Sequence, residues 1–250
     1  MIRREIREAR IPNAEAAQFR GVFITGTDTG VGKTVVAAGI ARALKSRGLN
    51  VGVMKPVATG AIRQGKRLVN PDVLFLRDAI GLRDPLGLIN PVCLMYPLAP
   101  AVAARLGRQR IDLARIAAAF VKLRRMHDVL VVEGIGGLLV PIKSGYFVVD
   151  MAREFGLPLL VVARPTLGTI NHVALTLECA RSRGLDIAGV VLNYHADFPR
   201  GLAEKTNRKT IEEYCGARFL GETVFYEGVS PENIPTAQFV HIADALCRGI

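Results

Sequence analysis

The chain has 250 residues and a mass of 27.0 kDa, enough for one large α/β core and short for two independent ones. Hydrophobic residues make up 50% of it, yet no apolar run approaches the roughly 18 residues of a membrane span and no secretory leader is evident, so a cytoplasmic protein without a membrane partner is expected. The net charge of +11 and pI near 10.0 suggest nucleic acid, but the basic residues are dispersed and lack interleaved aromatics, and the chain has no tryptophan; a general preference for arginine is the better reading, and no nucleic-acid partner is expected.

Residues 1–20 stand apart as an N-terminal extension. Met1–Arg10 mixes Ile with Arg and Glu, carries the only dense basic block (Arg3, Arg4, Arg7, Arg10), and is broken by Pro12-Asn13, which suits a mobile arm. From Gly21 to the end, residues 21–250 read as a single domain in which strand and helix alternate. Apolar, β-rich runs fall at Val22–Thr25, Val51–Met54, Asp128–Val132, Leu157–Ala163 and Ile187–Leu192. Their near-continuous hydrophobicity implies burial on both faces, as in a parallel sheet covered by helices. Helices are expected at Lys33–Arg47, Pro71–Ile80, Asp112–Arg125, Ile170–Arg183 and Leu202–Cys215, with Gly48 and Gly184 as C-terminal stops. Residues 84–110, with Pro85, Pro91, Pro97 and Pro100, read as loop with one short strand around Pro91–Tyr96. The fold class is therefore α/β, a doubly wound, mostly parallel sheet with helices on both faces, and its ligands belong at the carboxyl ends of the strands.

The first strand end carries the strongest motif. Residues 26–34 read Gly-Thr-Asp-Thr-Gly-Val-Gly-Lys-Thr, between a buried strand and a helix. Backbone N–H groups of such a turn cradle phosphate, Lys33 adds a mobile positive charge, and the Thr34 hydroxyl can ligate Mg²⁺. The loop is a variant, because the first glycine of the strict pattern would fall at Thr27 and is displaced to Gly26.

Later strand ends add polar groups. Lys55 follows the second strand, where an ammonium on a flexible stem can track phosphate or simply sit in solvent. Glu133 ends a run of Val and Leu; Mg²⁺ shared with Thr34 would satisfy it, as would a salt bridge. Asp72, in Asn70-Pro71-Asp72, reads by spacing alone as a helix-capping residue. Asn193 ends the fifth strand and suits either its own turn or a base edge. His172 and His195 have no metal-ligand spacing, and Cys93, Cys179, Cys215 and Cys247 are scattered as free thiols would be.

GTDTGVGKT, MKPVATG, NPDVL, VEGIGGLLVP, LGTINH and VVLN occur in this order from Gly21 to Asn193 and together resemble dethiobiotin synthetase, with LGE at 220–222 continuing the likeness more weakly. That family consists of P-loop ATP-dependent cyclo-ligases that join 7,8-diaminopelargonic acid and CO₂ (or bicarbonate) into dethiobiotin, releasing ADP and phosphate. The resemblance implies that Lys33 and Lys55 are catalytic and hold phosphates, and that Thr34, Asp72 and Glu133 surround Mg²⁺. That reverses the capping reading of Asp72. The nucleotide would also meet Gly30, Val31, Gly32, Val35, Gly134, Ile135 and Gly136, with Asn193 on adenine. Thr59 would lie near the diamine. Gly168, Thr169 and Asn171 resemble the segment that, in the family's homodimer, receives the diamine's carboxylate from the neighbouring subunit.

Three departures stand against the family pattern. Ile135 replaces the usual Ala, Gly221–Phe225 lacks the Ile-Pro that commonly follows L-G-E, and the first twenty residues have no counterpart. The alternative is a ParA/MinD-like ATPase switch. Its signature lysine would fall at Asp28, and a carboxylate cannot supply that charge.

Overall fold

Near-continuous apolar runs do form the strands, and they assemble into one six-stranded sheet, paired in parallel throughout. A computed structural model of the chain describes residues 20–194, 197 and 200–248. The N-terminal arm up to residue 19, its arginine block and His195 lie outside the described residues. In chain order the first elements are β1 (Gly21–Gly26), α1 (Lys33–Lys45), β2 (Val51–Met54), β3 (Val57–Ala58), β4 (Ile62–Gln64), β5 (Arg67–Val69), α2 (Pro71–Ala79), α3 (Leu86–Ile89), β6 (Val92–Cys93), α4 (Pro100–Leu106) and α5 (Leu113–Met126). There follow β7 (Val129–Glu133), β8 (Pro141–Lys143), β9 (Tyr146–Phe147), α6 (Val148–Phe155), β10 (Leu159–Ala163), α7 (Thr169–Ser182), β11 (Ile187–Asn193), α8 (Leu202–Cys215), β12 (Phe219–Thr223) and α9 (Ala237–Arg248).

The order across the sheet is β12-β11-β10-β1-β7-β2. Successive side chains point to opposite faces, so each strand feeds two cores. Phe23, Leu130, Val132, Leu159 and Val161 pack against α5, α6 and α7 through Phe120, Phe155 and Val173. Val22, Ile24, Val131, Leu160 and Val162 pack on the other side against α1, α2 and α9 through Ile40, Leu76 and Phe239. Phe120 and Phe155 stack with ring centroids 3.9 Å apart. Fully burying one such side chain is worth about 1.5–3 kcal/mol, so this doubled core outweighs any local preference at the strand ends. β1 lies centrally, between β10 and β7, and its carboxyl end therefore opens beside those of both neighbours.

Two of the stretches that differ from expectation lie in the middle of the chain. The loop expected over 84–110 holds two short helices; Pro100 sits at the first helical position of α4, where its missing N–H costs nothing, and Ala and Leu residues carry the turn onward. α6 begins Val-Val directly after a two-residue strand, a β-like start that hides a helix, yet the Asp150 carboxylate accepts from Phe147 N–H at 2.9 Å and caps it. In α2 the cap is Asn70, whose side chain accepts from Asp72 N–H at 3.0 Å. Asn70 supplies the side-chain cap, and Asp72 stands in the first turn, where its spacing places it, with its carboxylate also reaching Lys55.

Candidate active site

The P-loop joins β1 to α1 and is tied down from three sides. Gly26 N–H donates to Gly136 O at 3.3 Å, Thr27 N–H to Val162 O at 3.0 Å, and Arg164 Nη2 donates to Thr29 O at 3.0 Å. α1 starts at Gly32, with φ of 87° and no side-chain cap, and its first turn carries no acid. The free N–H groups of that end are left for an anion. Only glycine fits position 32: an added Cβ would lie 1.9 Å from Asn193 Nδ2.

A cavity of about 650 Å³ opens over this loop and gathers Gly30, Gly32, Lys33, Thr34, Val35, Lys55, Thr59, Asp72, Glu133, Gly134, Ile135 and Gly136. Residues scattered over a hundred positions meet here because β1, β2 and β7 end side by side. Val31 is buried beneath the loop. Ile135 is half-buried: it lines the cavity and also packs against the core. A second cavity of about 640 Å³ is lined by Arg67, Asn90 and Arg115, but it contains neither P-loop nor lysine pair, and we set the chemistry in the first.

Within the site one hydrogen-bonded chain runs through four side chains. Thr34 Oγ1 donates to Glu133 Oε1 at 2.9 Å, and Lys55 Nζ donates to the same oxygen at 2.7 Å and to Asp72 Oδ2 at 2.6 Å. Lys55 is 5% exposed, so it is not a solvated surface lysine. Glu133 is 1% exposed and does form a salt bridge, with Lys55, while its Oε2 is buried without a hydrogen-bond partner. Burial opposes the Lys55 ammonium, but the charges of Glu133 and then Asp72 outweigh it and raise the pKa. For Lys33 burial wins over the attraction of Glu133, and the pKa falls; its Nζ donates to Asp28 O at 3.0 Å.

An orphaned carboxylate oxygen, a neighbouring threonine hydroxyl and a second carboxylate form an all-oxygen donor set that suits Mg²⁺. The residues present therefore fit the metal that the P-loop implies.

Asn193 lies outside this cavity. Its Nδ2 donates to Val31 O at 2.8 Å, its Oδ1 accepts from Thr223 Oγ1, and it lines a smaller cavity of about 130 Å³ with Gly32, Val35 and Val224–Tyr226. Gly168, Thr169 and Asn171 line neither of these two cavities; they open α7, with Gly168 in a left-handed conformation and Thr169 Oγ1 buried without a partner. Sequence reasoning missed Asn90, whose Nδ2 donates to Lys55 O at 2.7 Å, and Arg164 and Thr223, which brace the P-loop and Asn193. A repeated Asn-Pro pair, at 70–71 and 90–91, was the available signal for the two asparagines that hold this site from behind.

Known proteins resemble this chain in sequence and in fold. A family described as AAA domain matches residues 20–233. The ATP-dependent dethiobiotin synthetase BioD of Thermodesulfovibrio yellowstonii is 42% identical over 208 residues, 80% of this chain and 87% of that protein. Its namesake from Methanococcus vannielii is 38% identical over 218 residues, 86% of this chain and 100% of that protein. Among solved structures, the septum site-determining protein MinD of Pyrococcus horikoshii, complexed with Mg-ADP, superposes with a TM-score of 0.57 over 92% of this chain and 96% of its own, at 15% identity. That likeness shows a shared fold and nothing more. By sequence similarity across most of its length, this chain belongs to the ATP-dependent dethiobiotin synthetase family.

Proposed function

We propose that this protein, acting in the cytoplasm, uses ATP to join 7,8-diaminopelargonic acid and CO₂ into dethiobiotin. The single observation that carries the reading is the chain Thr34–Glu133–Lys55–Asp72 set against the P-loop. The N–H groups at Gly30 and Gly32, with Lys33, hold the triphosphate. Thr34, Asp72 and Glu133 hold Mg²⁺. When bound, the metal offsets negative charge on the phosphates.

One amine of the substrate takes up CO₂ as a carbamate, losing a proton. That weak, anionic nucleophile must approach an anionic γ-phosphate, and Lys33 and Lys55 are the cations available to offset the repulsion. The carbamate oxygen attacks phosphorus and ADP leaves. The second amine then attacks the carbamic carbon of the mixed anhydride, expelling phosphate and closing the ureido ring. No covalent enzyme nucleophile enters.

Thr59, lining the same cavity, is assigned to the diamine. Adenine is assigned to the smaller cavity beside Asn193, because Gly32 and Val35 belong to both linings. Gly168, Thr169 and Asn171 are assigned to the carboxylate of a substrate held by the other subunit of a homodimer. In support, they open a helix whose N-terminus favours an anion, and the exposed Leu98, which lines the cavity, follows exposed Met95 and Tyr96 in the chain and gives apolar surface to cover.

The test is dethiobiotin formation from diaminopelargonic acid, bicarbonate, Mg²⁺ and ATP. ATP turnover that responds to DNA or lipid but not to the diamine would overturn the reading in favour of a MinD-like switch.

A further inference from the structure

Lys55 sits on both of the carboxylates assigned to the metal. Its Nζ is 2.6 Å from Asp72 Oδ2 and 2.7 Å from Glu133 Oε1. Its backbone is fixed independently: Lys55 N–H donates to Ile89 O at 2.8 Å and its carbonyl accepts from Asn90 Nδ2 at 2.7 Å. The flexible part is the four-carbon stem, which can swing the ammonium without moving the loop.

The charges in this cavity are balanced. Lys33 and Lys55 face Asp72 and Glu133, and among the described residues no other charged side chain lines it. A bare divalent cation entering here adds two positive charges and must compete with an ammonium already paired to both carboxylates. Separating that ammonium from Glu133 leaves a buried cation without a counterion, which is costly. A metal carried on a triphosphate meets neither obstacle. The complex is anionic, and its phosphate oxygens give Lys55 new acceptors as it leaves the carboxylates. Mg²⁺ dehydrates reluctantly and is commonly bound through one or two carboxylates plus substrate phosphates, so this route suits it.

We propose that Lys55 is a tethered competitor of the metal. Its ammonium holds Asp72 and Glu133 closed to free divalent cations and releases them only to a metal that arrives on the nucleotide, whereupon it transfers to the phosphates. Metal and nucleotide then load as one unit, and the catalytic lysine reaches the reacting phosphate only when both are present. This rests on the metal-ligand assignment made above.

The probe is Mn²⁺, titrated into the full nucleotide-free chain at pH 8 and followed by electron paramagnetic resonance. Lys55→Met and Lys55→Gln bind Mn²⁺ at least tenfold more tightly than the wild type, and Lys55→Arg, which keeps the charge, stays at the wild-type affinity. The Gln variant retains an amide donor for the carboxylates and serves if the Met variant does not fold, as judged by circular dichroism. A smaller gain in a folded neutral variant, or an equal gain in Lys55→Arg, overturns the proposal. Glu133→Gln titrated in the presence of ADP tests the ligand assignment separately: Mn²⁺ affinity lost there, with no gain in the Lys55 variants, condemns the competitor alone.

Discussion

The side-chain nitrogen of Asn90 donates to the carbonyl oxygen of Lys55 at 2.7 Å and also to Val92 O at 2.9 Å, from a position 9% exposed. One amide therefore fixes the start of the loop that carries Lys55 to the segment leading into β6. Asn90→Ala leaves two carbonyls without that donor, at a cost of about 1–3 kcal/mol. The expected outcome is a lower unfolding midpoint together with roughly tenfold slower turnover, since loss of orientation at a catalytic group is amplified in rate. Thermal unfolding and steady-state kinetics on the same preparation check it.

Gly32→Ala should abolish nucleotide binding. The new Cβ would lie 1.9 Å from Asn193 Nδ2, and φ of 87° is itself unfavourable for alanine. Truncating the partner, in Gly32→Ala/Asn193→Ala, removes the clash but keeps the strained backbone, so only part of the affinity returns. Isothermal titration with ADP measures both variants.

Lys55→Ala should lower dethiobiotin formation at least about a hundredfold, the scale for removing an oriented charge from a transferring group. It should also destabilise the fold, because Glu133, 1% exposed, loses its counter-ion; breaking one partner of a buried pair costs about 3–5 kcal/mol. Retention of near-wild-type product formation would remove Lys55 from its assigned role.

Tyr146 offers a test of alkaline stability away from the chemistry. Burial first, and the hydrogen bond of its hydroxyl to Glu154 Oε2 at 2.6 Å next, push its pKa well above the ordinary value. A group raised on folding contributes fully below its unfolded pKa of about 10 and loses that contribution as pH rises toward the folded value. Wild type should therefore lose about 1.4 kcal/mol per pH unit above pH 10 from this residue. Tyr146→Phe should be about 1 kcal/mol less stable at pH 8, and the difference should shrink and then reverse above pH 10. Urea unfolding across that range decides the sign.

Strands buried on both faces were the most legible part of the sequence: Val51–Met54 agrees at both ends, and Leu202–Cys215 does so among the helices. The element β12 escaped notice because Phe219–Thr223 reads Phe-Leu-Gly-Glu-Thr, too short an apolar run to mark a strand. For α4, the surrounding prolines read as loop although one of them starts the helix. In the site, residues that end strands and carry charge (Lys55, Glu133) could be found from position alone. Asp72 could not, since its spacing matches a cap and only the three-dimensional placement shows Asn70 taking that duty. Asn90 and Thr223 act through another residue's backbone or amide, a relation that no spacing rule encodes.

The contact between Gly32 and Asn193 limits how this enzyme can be re-engineered. Asn193 borders the smaller cavity while its amide bonds Val31 O at 2.8 Å, inside the phosphate loop. A library that varies position 193 to change nucleotide preference would disturb the turn that grips the triphosphate, so altered selectivity would come linked to weaker grip. Diversity aimed at Val224, Phe225 and Tyr226, which border the same cavity and are 48%, 40% and 46% exposed, leaves that turn alone. On the adenine assignment proposed above, those three positions are where base selectivity can drift independently of phosphate affinity.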